Sequence, residues 1–269
     1  MNYRVLILSF SLLAISGTTF ADSASPKSTY DWTGVYVGGF VGGATGSNVT
    51  SSEPYNSSQY GSWYSPYSAN NNYSTKASFM GGGTVGYNWQ IGKTPYLIGL
   101  EGEYGYLGMS GSNPDPNSTA WTNSNSFTPP AGSGSSSTKI GSSYGYGLVG
   151  GRIGYAMDRT LFYVKSGAVF TSNQSSYNDP NYGVSGSSKI NNNAGYAIGA
   201  GIEYALPTEW FKLSKNITIK TEYLYFGIDR TTTSAIPPGQ GGNWTDQSFS
   251  SNTSISGIHT AKIGVNYKF

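Results

Sequence analysis

The chain ends in Thr260-Ala261-Lys262-Ile263-Gly264-Val265-Asn266-Tyr267-Lys268-Phe269, and this stretch decides the fold. Odd-numbered residues from Ala261 to Phe269 are apolar or aromatic, whereas the residues between them are polar or glycine. Because successive side chains of a β-strand point to opposite faces, a strand here has one apolar and one polar face. The stretch therefore predicts a strand that separates an apolar environment from a polar one.

Seven earlier segments repeat this alternation, and no segment has the pattern of an amphipathic helix. The eight predicted strands cover residues 33–45, 77–89, 96–107, 143–156, 161–170, 193–205, 216–227 and 257–269. Their connections alternate strictly between long polar segments (46–76, 108–142, 171–192 and 228–256) and short ones (90–95, 157–160 and 206–215). This alternation is typical of transmembrane β-barrels, whose long loops face outside and whose short turns face the periplasm. We therefore predict an all-β, eight-stranded antiparallel transmembrane barrel with four long extracellular loops.

The composition excludes several classes of protein. The 15 basic residues include Arg4, so 14 basic residues beyond it face 13 acidic ones, without the excess of positive charge that nucleic-acid binders carry. The chain has no cysteine, which excludes disulfides and cysteine-based zinc sites. Glycine (38) and tyrosine (23) are abundant and only 10% of residues are charged, which suits twisted strands joined by polar loops.

The first residues have the pattern of a secretory signal. Arg4 precedes an apolar run at 5–15, and small residues follow as far as Ala21. The apolar run is shorter than the roughly 20 residues of a membrane-spanning helix. We therefore expect a signal peptide at 1–21, a short periplasmic segment at 22–32 and the barrel at 33–269.

Charged residues recur on the predicted inward face. They form a barrel-lumen charge layer of four acids and four bases: Glu101, Glu103, Arg152, Lys165, Glu203, Lys220, Glu222 and Lys262. Enclosed charges must be paired, since their desolvation would otherwise cost several kcal/mol each. The expected neighbours are Arg152 with Glu101 and Glu103 in one group. The three lysines would flank the other two glutamates. We interpret the layer as a structural plug, with an ion or proton path as the alternative.

Motifs for catalysis or cofactor binding are weak. Residues 81–86 and 145–150 both match G-x-G-x-x-G, but neither opens a helix in a βαβ unit, so glycine here favours strand twist over phosphate binding. His259 is the only histidine and should point outward, with no serine two residues later. We therefore expect no catalytic residue, no cofactor and no metal ion.

Several segments together resemble a known family. They are Trp32–Gly39, Gly82–Gln90, Gly151–Arg159, Gly199–Ala205, Glu222–Tyr225 and Gly264–Phe269. They are similar to the OmpA-like outer-membrane β-barrel family, which includes opacity-type surface antigens and proteins named "porin family", and the resemblance covers nearly the whole chain except the long loops. Phe40 departs from it, because the family commonly has a polar residue at that inward position.

The resemblance implies a location and several partners. It implies a cell outer membrane protein that contacts outer membrane lipid and lipopolysaccharide and is inserted by the outer-membrane assembly machinery. The family's C-terminal assembly signal would correspond here to Ile263, Val265, Tyr267 and Phe269. The resemblance implies no single activity, since relatives include porins, adhesins and haem binders.

The function hypotheses differ in where they place the activity. Rigid aromatic residues among Ser, Asn and Gly are typical of binding surfaces. The candidate loop-binding aromatics are Tyr55, Tyr60, Trp63, Tyr64, Tyr67, Trp121, Tyr177, Tyr182 and Trp244. They favour a surface antigen with a structural role whose loops bind a host or other extracellular ligand, or mediate adhesion. The alternative is a small porin, although eight strands leave little room inside. A lipid-modifying enzyme lacks a convincing catalytic set.

Overall fold

The computed structural model describes residues 30–46, 48–52, 70–114, 135–141, 143–179, 184–207, 216–228, 230–236 and 249–269. The expected signal peptide at 1–21 lies outside these ranges, as does the segment at 22–29. No helix in the described part of the chain has the length and apolar character needed to cross a membrane.

The described chain forms fourteen strands. They are β1 (Gly34–Thr45), β2 (Asn48–Ser52), β3 (Asn70–Ser74), β4 (Ser78–Gln90), β5 (Tyr96–Leu107), β6 (Met109–Pro114), β7 (Ser135–Ile140), β8 (Tyr146–Met157), β9 (Thr160–Asp179), β10 (Val184–Ala205), β11 (Ile217–Gly227), β12 (Arg230–Ile236), β13 (Phe249–Ile255) and β14 (Ile258–Lys268). Eight of them close a ring in the order β1, β4, β5, β8, β9, β10, β11, β14, and β14 pairs with β1 again. All pairs are antiparallel, which confirms the predicted fold class.

The ring strands follow the predicted segments within a few residues, because their inward and outward faces differ in polarity. On β14, burial alternates strictly from Ile258 to Asn266. Most outward side chains are apolar, and Val85, Leu100 and Val149 are each more than half exposed. The β8–β9 turn takes only two residues, and Asp158 there adopts a left-handed φ of 52°, which Asp tolerates better than most residues.

The long connections differ from the sequence expectation. The sequence pattern predicts loops there, but the structure has paired strands in all four: β2 with β3, β6 with β7, the outer halves of β9 with β10, and β12 with β13. These segments are rich in Ser, Thr and Asn on both faces, so they lack the hydrophobic alternation that marks a membrane-spanning strand. β6, β7 and the outer halves of β9 and β10 extend the sheet of the ring, whereas β2, β3, β12 and β13 pair in a separate four-stranded sheet.

Side chains fill the lumen at three levels. The turn-end cluster consists of Trp32, Leu97, Ala156, Leu161, Tyr163 and Ala205, with Tyr30 packed against it. The charge layer follows, and beyond it lies the loop-end cluster of fifteen residues, which includes Phe40, Tyr146 and Phe226. The lumen is therefore a packed core in which the charge layer lies between two apolar layers.

Candidate functional site in the barrel lumen

The structure brings all eight residues of the charge layer together inside the ring. They come from β5, β8, β9, β10, β11 and β14, and each is at most 5% exposed. Each of these residues occupies an inward position in the alternation of its strand. Because the ring is narrow, inward side chains from facing strands meet in the lumen.

Glu101 is at the centre of the layer. Its carboxylate lies 2.5 Å from the Lys165 Nζ, 3.1 Å from the Lys220 Nζ and 3.7 Å from an Arg152 Nη1. β11, which carries Lys220, lies four strands away from β5 in the ring of eight, so the Lys220–Glu101 pair spans the lumen at its widest. This pair links opposite walls of the barrel.

Glu103 and Glu222 form the second group with two lysines. The Lys262 Nζ lies 2.5 Å from Glu103 and 2.7 Å from Glu222. The Lys165 Nζ contacts Glu103 and lies 3.4 Å from Glu222. Carboxylate oxygens of Glu101, Glu103 and Glu222 lie within 4.8 Å of one another, a grouping that resembles a cation site. The ammonium groups of Lys165 and Lys262 supply the positive charge within that group.

Arg152 contacts the expected Glu101, but it pairs more closely with a different acid. Its Nη1 lies 3.0 Å from Glu203, and its Nε donates a 2.9 Å hydrogen bond to the Asn88 side chain. Glu203 is bound by Arg152, Thr218 and Asn266, so the prediction that lysines flank Glu203 is wrong. Parity fixes the face on which a lysine lies, but its long flexible stem can extend past the adjacent acid. The Lys220 stem does this and reaches Glu101.

Neutral donors complete the network, and the sequence analysis missed them. Hydroxyl groups donate from Tyr36 to Glu101 (2.6 Å), from Tyr146 to Glu103 (3.1 Å) and from Tyr163 to Glu222 (2.9 Å). Every carboxylate of the layer therefore accepts hydrogen bonds from both a cation and a neutral group. The same inward parity that identified the charges applies to these tyrosines and would have identified them.

Aromatic rings flank two of the cations. The Arg152 guanidinium lies 4.7 Å from the Tyr36 ring centroid and 5.0 Å from that of Tyr163. The Lys262 Nζ lies 4.8 Å from the Phe40 ring. Phe40, which departs from the resembled family, thus contributes a cation–π contact where a polar residue is more usual.

The turn end is closed by the segment that precedes β1. Trp32 is 1% exposed and its backbone N–H donates to the Gln90 side chain. Tyr30 packs edge-on against Trp32 with 4.9 Å between ring centroids. Burial, followed by the charge of Glu203, raises the pKa of Tyr30 to about 12, so its phenol stays neutral at physiological pH.

The remaining candidates lie elsewhere. His259 is exposed and forms a 2.6 Å hydrogen bond with the Tyr223 hydroxyl. The two glycine motifs fall on or beside β4 and β8, without a helix. Side chains of the expected assembly signal line the outer face of β14, with exposures of 52, 51, 39 and 71% for Ile263, Val265, Tyr267 and Phe269. Tyr177 lies on β9, but its side chain is outside the described residues, as are the other eight loop aromatics.

Known proteins are similar to this chain in sequence. A family model for the outer membrane protein beta-barrel domain matches residues 10–269. A 31 kDa outer-membrane immunogenic protein of Brucella melitensis is 28% identical over 256 residues, covering 93% of this chain and 88% of that protein. A protein of the same name from Brucella suis matches equally well.

Among solved structures, the outer membrane protease OmpT of Escherichia coli is similar with a TM-score of 0.53 at 10% identity, covering 90% of this chain and 98% of that chain. At this identity the likeness shows the fold alone. Together with the closed ring and its apolar outer face, the match over residues 10–269 shows that this chain belongs to the outer membrane protein beta-barrel domain family.

Proposed function

We propose that this outer membrane protein is a closed barrel that presents a strand-built binding platform at the cell surface. The observation that carries the proposal is the combination of a filled lumen with strands that continue past the rim. Such a molecule offers no wide path through its centre and offers a large, shaped surface at its loop end.

The platform, called here the collar, consists of β2, β3, β6, β7, β12, β13 and the outer halves of β9 and β10. β6 and β7 extend the ladder of β9, whereas β12, β13, β2 and β3 form a second sheet. The two groups meet on both sides, since β12 contacts β10 and β3 contacts β6. The Lys76 N–H donates to the Ser110 carbonyl at 2.8 Å, and the Tyr73 hydroxyl lies 2.9 Å from that of Thr138.

Rigid support favours recognition, because ordered strands lose less conformational entropy on binding than free loops would. The Brucella relatives are named as immunogenic outer-membrane proteins, and an immunogenic protein exposes some of its surface. Both points support contact with external partners through the collar and the candidate loop aromatics.

The chain offers a direct design for testing this role. The four segments that carry most loop aromatics each connect two directly paired residues: Ser52 with Asn70, Pro114 with Ser135, Asp179 with Val184, and Ile236 with Phe249. Each segment can therefore be replaced by a two-residue turn without shifting a ladder. Refolded protein should be offered extracellular matrix proteins, haem and lipids, and pull-down compared between the intact chain and the four shortened chains.

We expect at least one shortened chain to lose a partner that the intact chain retains, while the other three serve as matched controls. If all five proteins retain the same partners, or none, the binding role is wrong and the barrel is a scaffold only.

The alternative is a small porin. Against it stand four of the largest buried side chains, Trp32, Arg152, Tyr146 and Phe226, which occupy all three levels of the lumen. Planar bilayer recordings separate the two functions, because a closed barrel gives no steady conductance whereas a porin gives large, stable steps.

We also infer that the outer face of β14 is the signal recognised by the outer-membrane assembly machinery. Its support is the run of exposed apolar side chains at alternate positions up to Phe269.

A further inference from the structure

The collar encloses a polar interior beyond the loop-end cluster. Its inward positions follow from strand pairing, because directly paired residues share a face of the sheet. Asn173 of β9 pairs with Ile140 of β7, which belongs to the loop-end cluster, so the Asn173 side chain points inward. Two residues further along, Ser175 pairs with Thr138 on the same face. These three polar side chains are each at most 3% exposed. The interior therefore changes from apolar to polar where the collar begins.

Three buried polar atoms of this interior have no hydrogen-bond partner among the described residues. They are the Nδ2 and Oδ1 atoms of Asn173 and the Oγ atom of Ser175. Folded proteins pair nearly all of their buried polar atoms, because an unpaired one lowers stability. The amide can donate and accept at the same time, and the hydroxyl can do either. Neighbouring groups that are left unpaired in this way indicate a site whose partner comes from outside the chain.

The surroundings of these atoms suit a hydroxylated molecule. The Thr138 hydroxyl lies 2.9 Å from that of Tyr73, and Ser136 is buried on the same face of β7. The Tyr73 ring lies close to Gly111, where a Cβ would be 3.2 Å from the ring. A ring beside amide and hydroxyl groups offers both an apolar surface and hydrogen bonds that fix orientation.

The described inward side chains of the collar carry no charge. The lysines of the described collar segments, Lys76, Lys139 and Lys189, are exposed. Lys139 and Lys189 both pair with Gln174, which neighbours Asn173 in the chain and therefore points to the outer face. A charged ligand would thus find no described partner of opposite charge inside, which favours a neutral one.

A seam between two sheets offers a way in. Among the described strands, no ladder joins the sheet of β12, β13, β2 and β3 to the sheet that contains β6, β7, β9 and β10. β3 and β6 meet through the bond from the Lys76 N–H to the Ser110 carbonyl, and the contact of Tyr73 with Thr138 lies beside it. Segments held by few bonds open more readily than a continuous ladder does. The two sheets can therefore part at this seam and admit a small molecule.

We propose that the interior of the collar binds a neutral, polyhydroxylated ligand of the sugar class. The ligand enters where the two sheets part. Its hydroxyl groups bind the Asn173 amide and the Ser175 hydroxyl, and an apolar face of its ring packs on Tyr73. Eight strands can enclose one small ligand. The proposal rests on the collar's proposed binding role and deepens it, since it names a ligand class for that part of the molecule.

Ligand-observed NMR titration of the intact, folded barrel tests this with defined probes. The probes are the methyl glycosides of glucose, galactose, mannose and N-acetylglucosamine, with glucose 6-phosphate and glucuronic acid as charged counterparts. The detergent must lack a sugar headgroup, because such a headgroup would compete for the site. Asn173→Leu with Ser175→Ala removes the unpaired groups. Its matched control is Gln174→Leu, which changes an amide on the outer face of the same strand.

We expect at least one methyl glycoside to bind the intact chain and the Gln174→Leu chain equally, and the charged counterparts to bind neither. The double variant should lower the affinity for that glycoside at least about tenfold, the scale of two or three lost hydrogen bonds. It should also raise the urea midpoint of unfolding, because apolar groups of similar shape replace polar atoms that have no partner.

Failure of all four glycosides to bind the intact chain would overturn the proposal, as would equal affinity of the double variant and its control. A lowered urea midpoint of the double variant would also count against it, because the two groups would then be bonded within the fold. The pull-down with shortened chains is independent of these results. A chain that retains its partners there but binds no glycoside would refute the sugar site alone, whereas a chain that does neither would refute the collar's binding role as well.

Discussion

Arg152 and Lys165 lie directly opposite each other on β8 and β9, and both point into the lumen. Like charges in directly opposed positions normally destabilise a strand pair. Here each is neutralised by an acid from another strand: Arg152 by Glu203 on β10, and Lys165 by Glu101 and Glu103 on β5. Acids on other strands therefore stabilise this opposed pair, whereas elsewhere in the layer Lys262 pairs with Glu222 directly opposite it on the neighbouring β11.

Arg152→Ala should lower the free energy of unfolding by about 3–5 kcal/mol, the usual scale when one partner of a buried ion pair is removed. The loss arises because Glu203 keeps only the neutral donors Thr218 and Asn266. Denaturant titration, followed by the migration of folded and unfolded bands on unheated gels, measures the change. Lys93→Ala, an exposed turn residue, is the matched control.

A second variant checks the cause of that loss. Adding Glu203→Gln to Arg152→Ala removes the uncompensated charge and should restore part of the stability. A double variant as unstable as the sum of both single changes would indicate lost packing of Arg152 against Tyr36 and Tyr163 instead.

Tyr163→Phe should destabilise the barrel by about 2 kcal/mol, within the range for a hydrogen bond to a charged group. Its hydroxyl donates to Glu222 inside the lumen, whereas that of Tyr87 lies on the outer face, where the residue is 49% exposed. Tyr87→Phe, measured in the same denaturant titration, should change stability by less than about 0.5 kcal/mol. Equal effects of the two changes would exclude a specific role for the Tyr163 hydroxyl.

The ring was predictable because its physical cause is visible in the chain. Each spanning strand has lipid on one face and a packed lumen on the other, so Ile263, Val265 and Tyr267 alternate with polar or glycine residues. The same alternation correctly predicted that the eight charged residues lie on the inner face of the ring. Burial of Glu101, Arg152 and Lys165 follows directly from it.

The sequence pattern could not predict two features: the partner of each lumen charge and the strands of the collar. The partners of each charge depend on how long stems extend inside a narrow lumen, which is why Lys220 contacts Glu101 and Glu203 contacts Arg152. The collar strands are polar on both faces, so segments such as Ser135–Ile140 have no period to distinguish them from loops. In both cases the deciding contacts are long-range in sequence.

Epitope tags test the orientation of the barrel. Tags at loop positions should be reached by antibody on intact cells, whereas tags in the turns should be reached only after the outer membrane is permeabilised. The positions on the loop side are Ser65, Ser124, Gly241 and Ser185, which is the second residue of β10, and the turn positions are Lys93 and Thr208. The expectation follows from long loops facing outside. Labelling of the turn positions alone on intact cells would show that the barrel is inserted the other way.

Deletion of Phe269 should reduce the amount of protein in the outer membrane and leave it in the periplasm. Phe269 is 71% exposed, its ring packs on Tyr267 at 5.2 Å between centroids, and its N–H donates to the Val35 carbonyl. Fractionation followed by immunoblotting measures the distribution. Phe269→Tyr keeps an aromatic terminus and should assemble normally. Outer membrane levels of the deleted chain equal to those of the intact chain would exclude Phe269 as part of the signal.

The last prediction concerns conductance, which the three successive levels of the lumen together oppose. Arg152→Ala removes a fully buried side chain from the charge layer, and water should then enter that level. The loop-end cluster, in which the Phe226 and Tyr146 ring centroids lie 5.5 Å apart, still narrows the path beyond it. In a planar bilayer, Arg152→Ala should therefore give only small, flickering openings. Phe226→Ala alone should stay closed, since the charge layer is intact. The double variant should open more often and for longer than either single variant. If the unmodified protein already gives large, stable steps, the layers do not close the lumen and the porin function takes the place of the closed barrel.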